Sequence, residues 1–190
     1  MKKICVFCGS NSGDDQQYQE QVQRLAQYLK TSAASLVYGG GRLGMMGEIF
    51  AAVRAQGCPI IGIVPEILRK EAVTASPGVT LEYVSDMSAR KKRMLELADA
   101  FVILPGGLGT MEEFFQVYSW NQLGINRKPI VVTNIDGYYD QLLAFLQDVV
   151  DHGFMPQENL DSLIVTQDVA KGLKEAENYR YQKVNKWKRF

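Results

Sequence analysis

The sequence predicts a doubly wound α/β fold, in which helices cover both faces of a parallel sheet of about seven strands. Short apolar runs rich in β-branched residues alternate with longer amphipathic runs, the pattern of repeated βαβ units. Some short runs are apolar at nearly every position, as at residues 60–64 and 101–104, and such strands are buried on both faces. Folds of this class bind ligands at the carboxyl ends of their strands.

The elements follow one another with little sequence between them. Runs of β-branched and aromatic residues predict strands over residues 4–8, 35–38, 59–64, 79–84, 100–104, 129–133 and 163–166. Runs with apolar residues at helical spacing predict helices over residues 14–30, 44–56, 88–97, 111–123, 138–152 and 167–179. Residues 69–78 are the least regular segment and are predicted to form a loop over the sheet.

The chain of 190 residues has the length of one domain, which we expect over residues 1–180. Residues 181–190 form a basic tail, predicted to be a solvated helix extension or a frayed end. The alternative is that its aromatic residues, Trp187 and Phe190, dock onto a partner subunit.

Charge and hydropathy exclude several classes of partner. Lys and Arg total 21, as do Asp and Glu, so no bulk charge favours a nucleic acid or an anionic membrane. The apolar run at residues 4–8 is too short for a signal peptide, and no run approaches the length of a membrane span. The sequence therefore predicts a cytoplasmic protein.

No metal or cofactor is predicted. Cys5 and Cys8 form a C-x-x-C pattern inside a predicted strand, where they would face opposite sides as small buried residues. A redox pair of this kind would instead begin a helix. His152 is the single histidine of the sequence, and no cluster has metal-ligand spacing.

Three glycine turns follow predicted strands at their carboxyl ends. They contain Gly9 and Ser10, then Gly39, Gly40 and Gly41, and finally Gly106, Gly107 and Gly109. In a parallel sheet these turns converge on one edge. Each opens a helix, whose first amides and dipole suit an anion such as phosphate.

The second turn also matches the dinucleotide fingerprint G-x-G-x-x-G, at Gly39, Gly41 and Gly44. Glu66 follows at a distance suited to a ribose contact, but Pro65 separates it from its strand. The match also lies in the second βα unit and leaves the other two turns without a role. Dinucleotide binding is therefore the less favoured alternative.

Two carboxylates, Glu112 and Glu113, follow the last glycine turn directly. Thr110 and Glu113 also have the spacing of a capping box, in which the Thr hydroxyl caps the helix and the Glu side chain reaches back. The glycines favour a ligand instead. With phosphate at the helix start, Thr110 and the free amides bind it and the carboxylates act on the attached group.

A second group of charges lies at residues 87–94. Helical spacing places Arg90 and Lys91 on one face with Met87 and Met94, while Lys92 and Arg93 point elsewhere. An arginine between two apolar residues is not expected to be purely solvated. We expect Arg90 to pair with a substrate phosphate or with the Glu pair.

Together these residues resemble the Lonely Guy family of cytokinin-activating phosphoribohydrolases, often labelled lysine decarboxylases. The resemblance covers about residues 3–165 and rests on two complete motifs, P-G-G-x-G-T-x-x-E at 105–113 and M-x-x-R-K-x-x-M at 87–94. Two departures bear on substrate preference. Asn11 replaces a serine of the first turn, and Ser88-Ala89 replace a pair that contains histidine.

The resemblance implies hydrolysis of the N-glycosidic bond of adenine nucleoside 5'-monophosphates, N6-modified or AMP itself, to free base and ribose 5-phosphate. It makes Arg90 and Glu113 the catalytic pair and implies a homodimer, or an assembly of dimers, with sites near the interface. The substrate-binding residues are then Gly9, Ser10, Gly39, Gly40, Gly41, Glu71, Arg90, Lys91, Gly106, Gly107, Leu108, Gly109, Thr110, Met111, Glu112, Glu113 and Ser119. Glu71 matches less securely, because its loop is one residue longer here.

The rival interpretation is a non-catalytic nucleotide or molybdenum-cofactor carrier of the same fold. Such a carrier would not need Arg90 and Glu113 together. A decarboxylase would need a lysine that binds pyridoxal phosphate, and no feature of the sequence identifies one. Whether Glu113 acts as a general base or as a nucleophile stays open.

Overall fold

The computed structural model describes residues 1–184, in which seven parallel strands form one sheet with the order β4-β3-β2-β1-β5-β6-β7. The strands are β1 (Lys3–Phe7), β2 (Ser35–Tyr38), β3 (Ile60–Pro65), β4 (Val79–Val84), β5 (Ala100–Ile103), β6 (Ile130–Thr133) and β7 (Leu163–Thr166). The chain winds outward from β1 in one direction and then returns to β5 on its other side. The predicted doubly wound α/β fold is confirmed. Trp187 and Phe190 of the predicted tail lie outside the described residues.

Seven α-helices of the described chain cover the sheet. They are α1 (Gln16–Thr31), α2 (Gly44–Ala55), α3 (Met87–Leu97), α4 (Leu108–Gln122), α5 (Asp140–Asp151), α6 (Gln157–Leu160) and α7 (Val169–Ala176). Helices α1, α2 and α7 pack on one face, and α3, α4 and α5 on the other. None of the helices in residues 1–184 combines the length and apolar character that a membrane crossing requires.

The side chains of β1 point alternately into two hydrophobic cores, one on each face of the sheet. Ile4 and Val6 pack in the cluster under α1 and α2, whereas Cys5 and Phe7 pack in the cluster under α3 and α4. Cys8, three residues after Cys5, lies in the first cluster. The predicted opposite orientation of the two cysteines is confirmed, and both are buried free thiols.

The structure differs from the predicted elements mainly where the backbone turns tightly. Helix α5 begins at Asp140 rather than residue 138, because Asp136 and Gly137 adopt left-handed backbone angles inside a short 3-10 helix. Helix α7 begins after Asp168, whose carboxylate accepts hydrogen bonds from two amides of its first turn. Helix α6 and a 3-10 helix at Glu66–Glu71 were not predicted.

Candidate active site

The three glycine turns meet at the carboxyl edge of the sheet, as predicted. The Gly9 amide donates a hydrogen bond to the Pro105 carbonyl at 3.0 Å, and this contact joins the first turn to the third. A Cβ on Gly44 would lie 2.2 Å from the Ser10 carbonyl oxygen, so the second turn presses against the first. Approaches this close require glycine.

Helix α4 begins at Leu108, three residues earlier than predicted, with Gly107 as its N-cap. The capping-box interpretation of Thr110 and Glu113 is therefore wrong. Thr110 lies inside the first turn, and its buried side chain fills the space where a Cβ on Gly106 would be. The free amides at the start of the helix consequently belong to the residues that follow the glycine pair.

The Glu113 carboxylate is bound by Arg90 from the neighbouring helix. Arg90 Nη2 donates to Glu113 Oε1 at 2.9 Å, and only 9% and 8% of the two side chains are exposed. Helix α3 presents Arg90 here because its first turn is capped by Asp86 and its Met94 is fully buried. Arg90 Nε is buried and has no protein partner, so the guanidinium does not satisfy all of its donors within the chain.

Burial raises the pKa of Glu113 to about 7, because the carboxylate loses its hydration. The positive charge of Arg90 opposes this rise in pKa, while the negative charge of Glu112 adds to it. A buried ion pair is a poor source of stability, since the desolvation of two charges offsets their attraction. A carboxyl group that titrates near neutrality instead suits proton transfer.

A second ion pair lies beside the first on the same two helices. Lys91, which is largely buried, contacts the half-exposed carboxylate of Glu112. As predicted, Lys92 is exposed, and Arg93 turns away to bind Glu82 at 2.6 Å. The two ion pairs therefore lie side by side between α3 and α4.

Two cavities open beside the turns and share Ser10 and Asn11. The larger, of about 450 Å³, is lined by Ser10, Asn11, Gly39, Gly40, Gly41, Arg42, Leu43, Met46, Leu68, Glu71, Ala72 and Arg90. The smaller, of about 180 Å³, is lined by Gly9, Ser10, Asn11, Ser12, Gly13, Tyr18, Met45, Pro105, Gly106, Gly107 and Tyr138. Together they give room for a ligand with an anionic end and a larger, partly apolar end.

The 3-10 helix Glu66–Glu71 forms one wall of the larger cavity and buries no residue. It is attached to the second turn through backbone, since the Arg42 amide donates to the Glu71 carbonyl at 3.2 Å. The Arg69 guanidinium lies 3.5 Å above the ring of Tyr83 and secures the outer side.

Other residues implied by the resemblance, Glu113 among them, do not themselves line the two cavities. Ser119 faces an apolar groove between α4 and α5, two helical turns beyond Glu113, and its hydroxyl donates to the Gln116 carbonyl. Leu108 and Gly109 lie on the open side of the α4 N-terminus, and Met111 packs partly into the core below. This chain alone therefore does not bring Ser119 to Arg90 and Glu113.

Sequence reasoning missed Tyr18 and Tyr138, which line the smaller cavity. Tyr138 follows β6 at the same carboxyl edge as the glycine turns, so topology was the signal that could have identified it. Among residues 1–184, no three His, Cys, Asp or Glu side chains are grouped to hold a metal ion.

The chain is similar in sequence to a protein family and to named plant enzymes. Residues 46–176 match a family model described as "Possible lysine decarboxylase". The chain is 46% identical over 154 residues to cytokinin riboside 5'-monophosphate phosphoribohydrolase LOG7 of Arabidopsis thaliana, covering 81% of this chain and 71% of that protein. LOG1 of the same plant, which carries the same enzyme name, is 41% identical over 96% of this chain and 87% of its own.

A solved structure with the same fold is the molybdenum cofactor binding protein of the bacterium Rippkaea orientalis. It superposes with a TM-score of 0.66 at 19% identity, over 92% of this chain and 94% of that one. At this identity the likeness concerns the fold alone.

Proposed function

Since the chain belongs to the Lonely Guy family of phosphoribohydrolases, whose family model carries the description "Possible lysine decarboxylase", we propose that it hydrolyses a nucleoside 5'-monophosphate. Water replaces the base at C1' of the ribose, and the products are the free base and ribose 5-phosphate. The substrates are N6-modified adenine nucleotides, including cytokinin riboside 5'-monophosphates, and AMP. The buried pair of Arg90 and Glu113 beside the glycine turns carries this proposal.

In this reaction Glu113 acts on the sugar. Cleavage of a glycosidic bond develops positive charge at C1', which a nearby carboxylate stabilises. Arg90 holds Oε1 of Glu113, so Oε2 is left to orient or deprotonate the attacking water. Arg90 also borders the larger cavity, where it can contact the nucleotide. Arg90 thus has two roles, as the partner of Glu113 and as a substrate ligand.

The glycine turns bind the phosphate in the same scheme. Free amides at the start of α4 and the open space beside Gly107 and Gly109 suit a dianion. Ser10 borders both cavities and can bridge the phosphate and the ribose. Binding of the phosphate holds the nucleotide beside Glu113, so these remote contacts contribute to kcat/KM.

Two rival functions fit the geometry less well. A carrier protein needs the fold and the turns but has no use for a desolvated Arg90–Glu113 pair, which contributes little stability. A decarboxylase that uses pyridoxal phosphate needs a lysine that forms a Schiff base. Lys91, the lysine beside the turns, is engaged by Glu112. We therefore propose that the protein needs no cofactor and no metal.

Incubation of the purified protein with AMP or an N6-substituted analogue is expected to yield free base and ribose 5-phosphate, separable by chromatography. The unphosphorylated nucleoside is expected to remain intact, because it lacks the group that the turns bind. Intact nucleotide at high protein concentration would contradict the proposed reaction. Binding of nucleotide without turnover would favour a carrier.

The pH dependence of the reaction is expected to follow Glu113. If the ionised carboxylate is the active form, kcat/KM rises with pH up to about 7 and is level above, since protonation below the pKa removes the base. The negative charge of Glu112 raises the pKa of Glu113, so Glu112→Gln should move this limb to lower pH. If the rise of kcat/KM with pH stays at the same pH in the variant, it reflects ionisation of the substrate phosphate, whose second pKa is about 6, and not of Glu113.

We also propose that the protein is a homodimer, or an assembly of dimers, through the groove that contains Ser119. Phe115, Phe145 and Phe154 are exposed around this groove, and clusters of exposed aromatic residues are typical of interfaces. A second copy of the chain bound in this groove would place residues of the partner subunit against Ser119. Sedimentation as a monomer at micromolar concentration would contradict this proposal.

A cytoplasmic location remains a prediction. All three cysteines are buried free thiols, in keeping with a reducing cytoplasm. Equal numbers of positive and negative side chains support the absence of nucleic-acid and membrane partners, which likewise stays a prediction.

A further inference from the structure

Three successive carbonyl groups of the turn after β5 each accept a hydrogen bond from a donor outside that turn. The pairs are Tyr139 hydroxyl with Leu104 at 2.7 Å, Gly9 amide with Pro105 at 3.0 Å, and Tyr138 hydroxyl with Gly106 at 2.8 Å. Two of the three donors are consecutive tyrosines that follow β6. Residues in the connection that follows β6 therefore hold this turn in place, in addition to helix α4.

The hydrogen bond from Tyr138 acts on the peptide between the two glycines of the turn. Gly106 and Gly107 lack side chains, so the peptide between them can rotate at little cost. A trans peptide directs its N–H opposite to its C=O. By binding the Gly106 carbonyl, Tyr138 fixes the direction of the Gly107 N–H, which lies at the N-cap of α4 beside the smaller cavity.

The Tyr138 side chain is itself held in place. Its ring packs edge-on against Tyr139, with centroids 4.8 Å apart, and against Tyr18 at 6.1 Å. The preceding Asp136 and Gly137 adopt left-handed backbone angles that turn the chain before the tyrosine pair. For Asp136 such a conformation carries strain, which persists where the surrounding structure requires it. Tyr138 nevertheless remains 45% exposed, so core packing does not account for this arrangement.

We infer that Tyr138 is a positioning residue for the phosphate of the substrate. This inference rests on the proposed function. Tyr138 holds the peptide between Gly106 and Gly107 in the orientation that receives the anion, so substrate binding does not have to order it. Its hydroxyl acts through the turn and touches none of the reacting atoms at C1'. Loss of the hydroxyl therefore weakens binding of the phosphate end and leaves bond cleavage nearly unchanged.

The test is Tyr138→Phe, which removes the hydroxyl and keeps the ring. We expect KM for the nucleotide to rise about tenfold, the usual effect of one hydrogen bond, while kcat stays within about twofold. Calorimetry should show the same loss of affinity, about tenfold, for ribose 5-phosphate. Tyr28→Phe is the matched control, because the Tyr28 hydroxyl binds Glu177 at 2.7 Å far from the cavities. This control should leave KM, kcat and the affinity unchanged.

Unchanged KM and affinity in Tyr138→Phe would overturn the inference, and so would a fall in kcat at constant KM. A melting temperature lowered by more than about 4 °C, roughly 1 kcal/mol in a chain of this size, would assign the hydroxyl to stability instead. The calorimetric measurement with ribose 5-phosphate does not depend on turnover. A wild-type protein that binds ribose 5-phosphate but leaves nucleotides intact would refute the proposed function and still test Tyr138. A wild-type protein that binds neither ligand would refute both.

Discussion

Glu113→Gln is expected to lower kcat by about a thousandfold, the middle of the range for loss of a general acid or base. The substitution removes the negative charge and the basic oxygen that the proposed reaction uses. The glutamine oxygen can still accept the hydrogen bond from Arg90, which lies at 2.9 Å in the wild-type protein. The raised pKa of Glu113 means that the loss of hydration outweighs the attraction of Arg90 for its charge, so removal of that charge should change the melting temperature by no more than about 4 °C. Product release from AMP and thermal unfolding, measured on one preparation, check both expectations.

Glu82→Gln is the matched control for Glu113→Gln. Glu82 binds Arg93, which lies on α3 three residues beyond Arg90, but this ion pair lies outside the cavities and is partly exposed. Loss of an exposed pair costs little stability, and kcat should stay near the wild-type value. Activity within tenfold of wild type in Glu113→Gln would contradict its catalytic role. A large loss of both stability and activity would show that Glu113 serves mainly to satisfy Arg90.

Gly39→Ala is expected to lower kcat/KM by about a hundredfold, although the added methyl group carries no chemistry. A Cβ at residue 39 would lie 2.2 Å from Nη2 of Arg90, the atom that binds Glu113. The guanidinium must move, and a displacement of about 1 Å at a catalytic group can cost this much in rate. Steady-state kinetics with the nucleotide measure the loss.

A double-mutant cycle separates displacement of Arg90 from general damage to the turn. If the methyl group acts through the guanidinium, Gly39→Ala should add almost nothing to the loss caused by Arg90→Ala. Additive losses would instead mean that Gly39 matters for another reason, such as direct contact with the nucleotide. The cycle requires only relative rates.

The parts of the structure that periodicity and topology govern could be predicted from the sequence. The apolar runs of β3 and β5 indicated strands buried on both faces, and parallel strands bring their carboxyl-end turns together whatever the helices do. The placement of Arg90 with Met94 followed from helical spacing alone. These inferences needed no knowledge of how one helix packs on another.

The remainder depended on contacts between distant segments. Gly107 and Thr110 are both acceptable N-caps, so the sequence left the start of α4 open, and in the structure the N-cap is Gly107. The sequence offered two partners for Arg90, a phosphate or the Glu pair. Its hydrogen bond to Glu113 spans 23 residues and requires α3 and α4 to lie on one face. Tyr138 was missed although Asp136-Gly137 is a turn dipeptide, because its role depends on a hydrogen bond to the Gly106 carbonyl 32 residues away.

The 3-10 helix Glu66–Glu71 has a consequence for how relatives of this enzyme can diverge. It walls the larger cavity but buries none of its residues, whereas the proposed catalytic pair is buried between α3 and α4. Substitutions in a segment without buried residues cost little stability. Natural variation and laboratory selection can therefore alter this wall, and with it the range of ligands that fit the cavity, without disturbing the contact between Arg90 and Glu113.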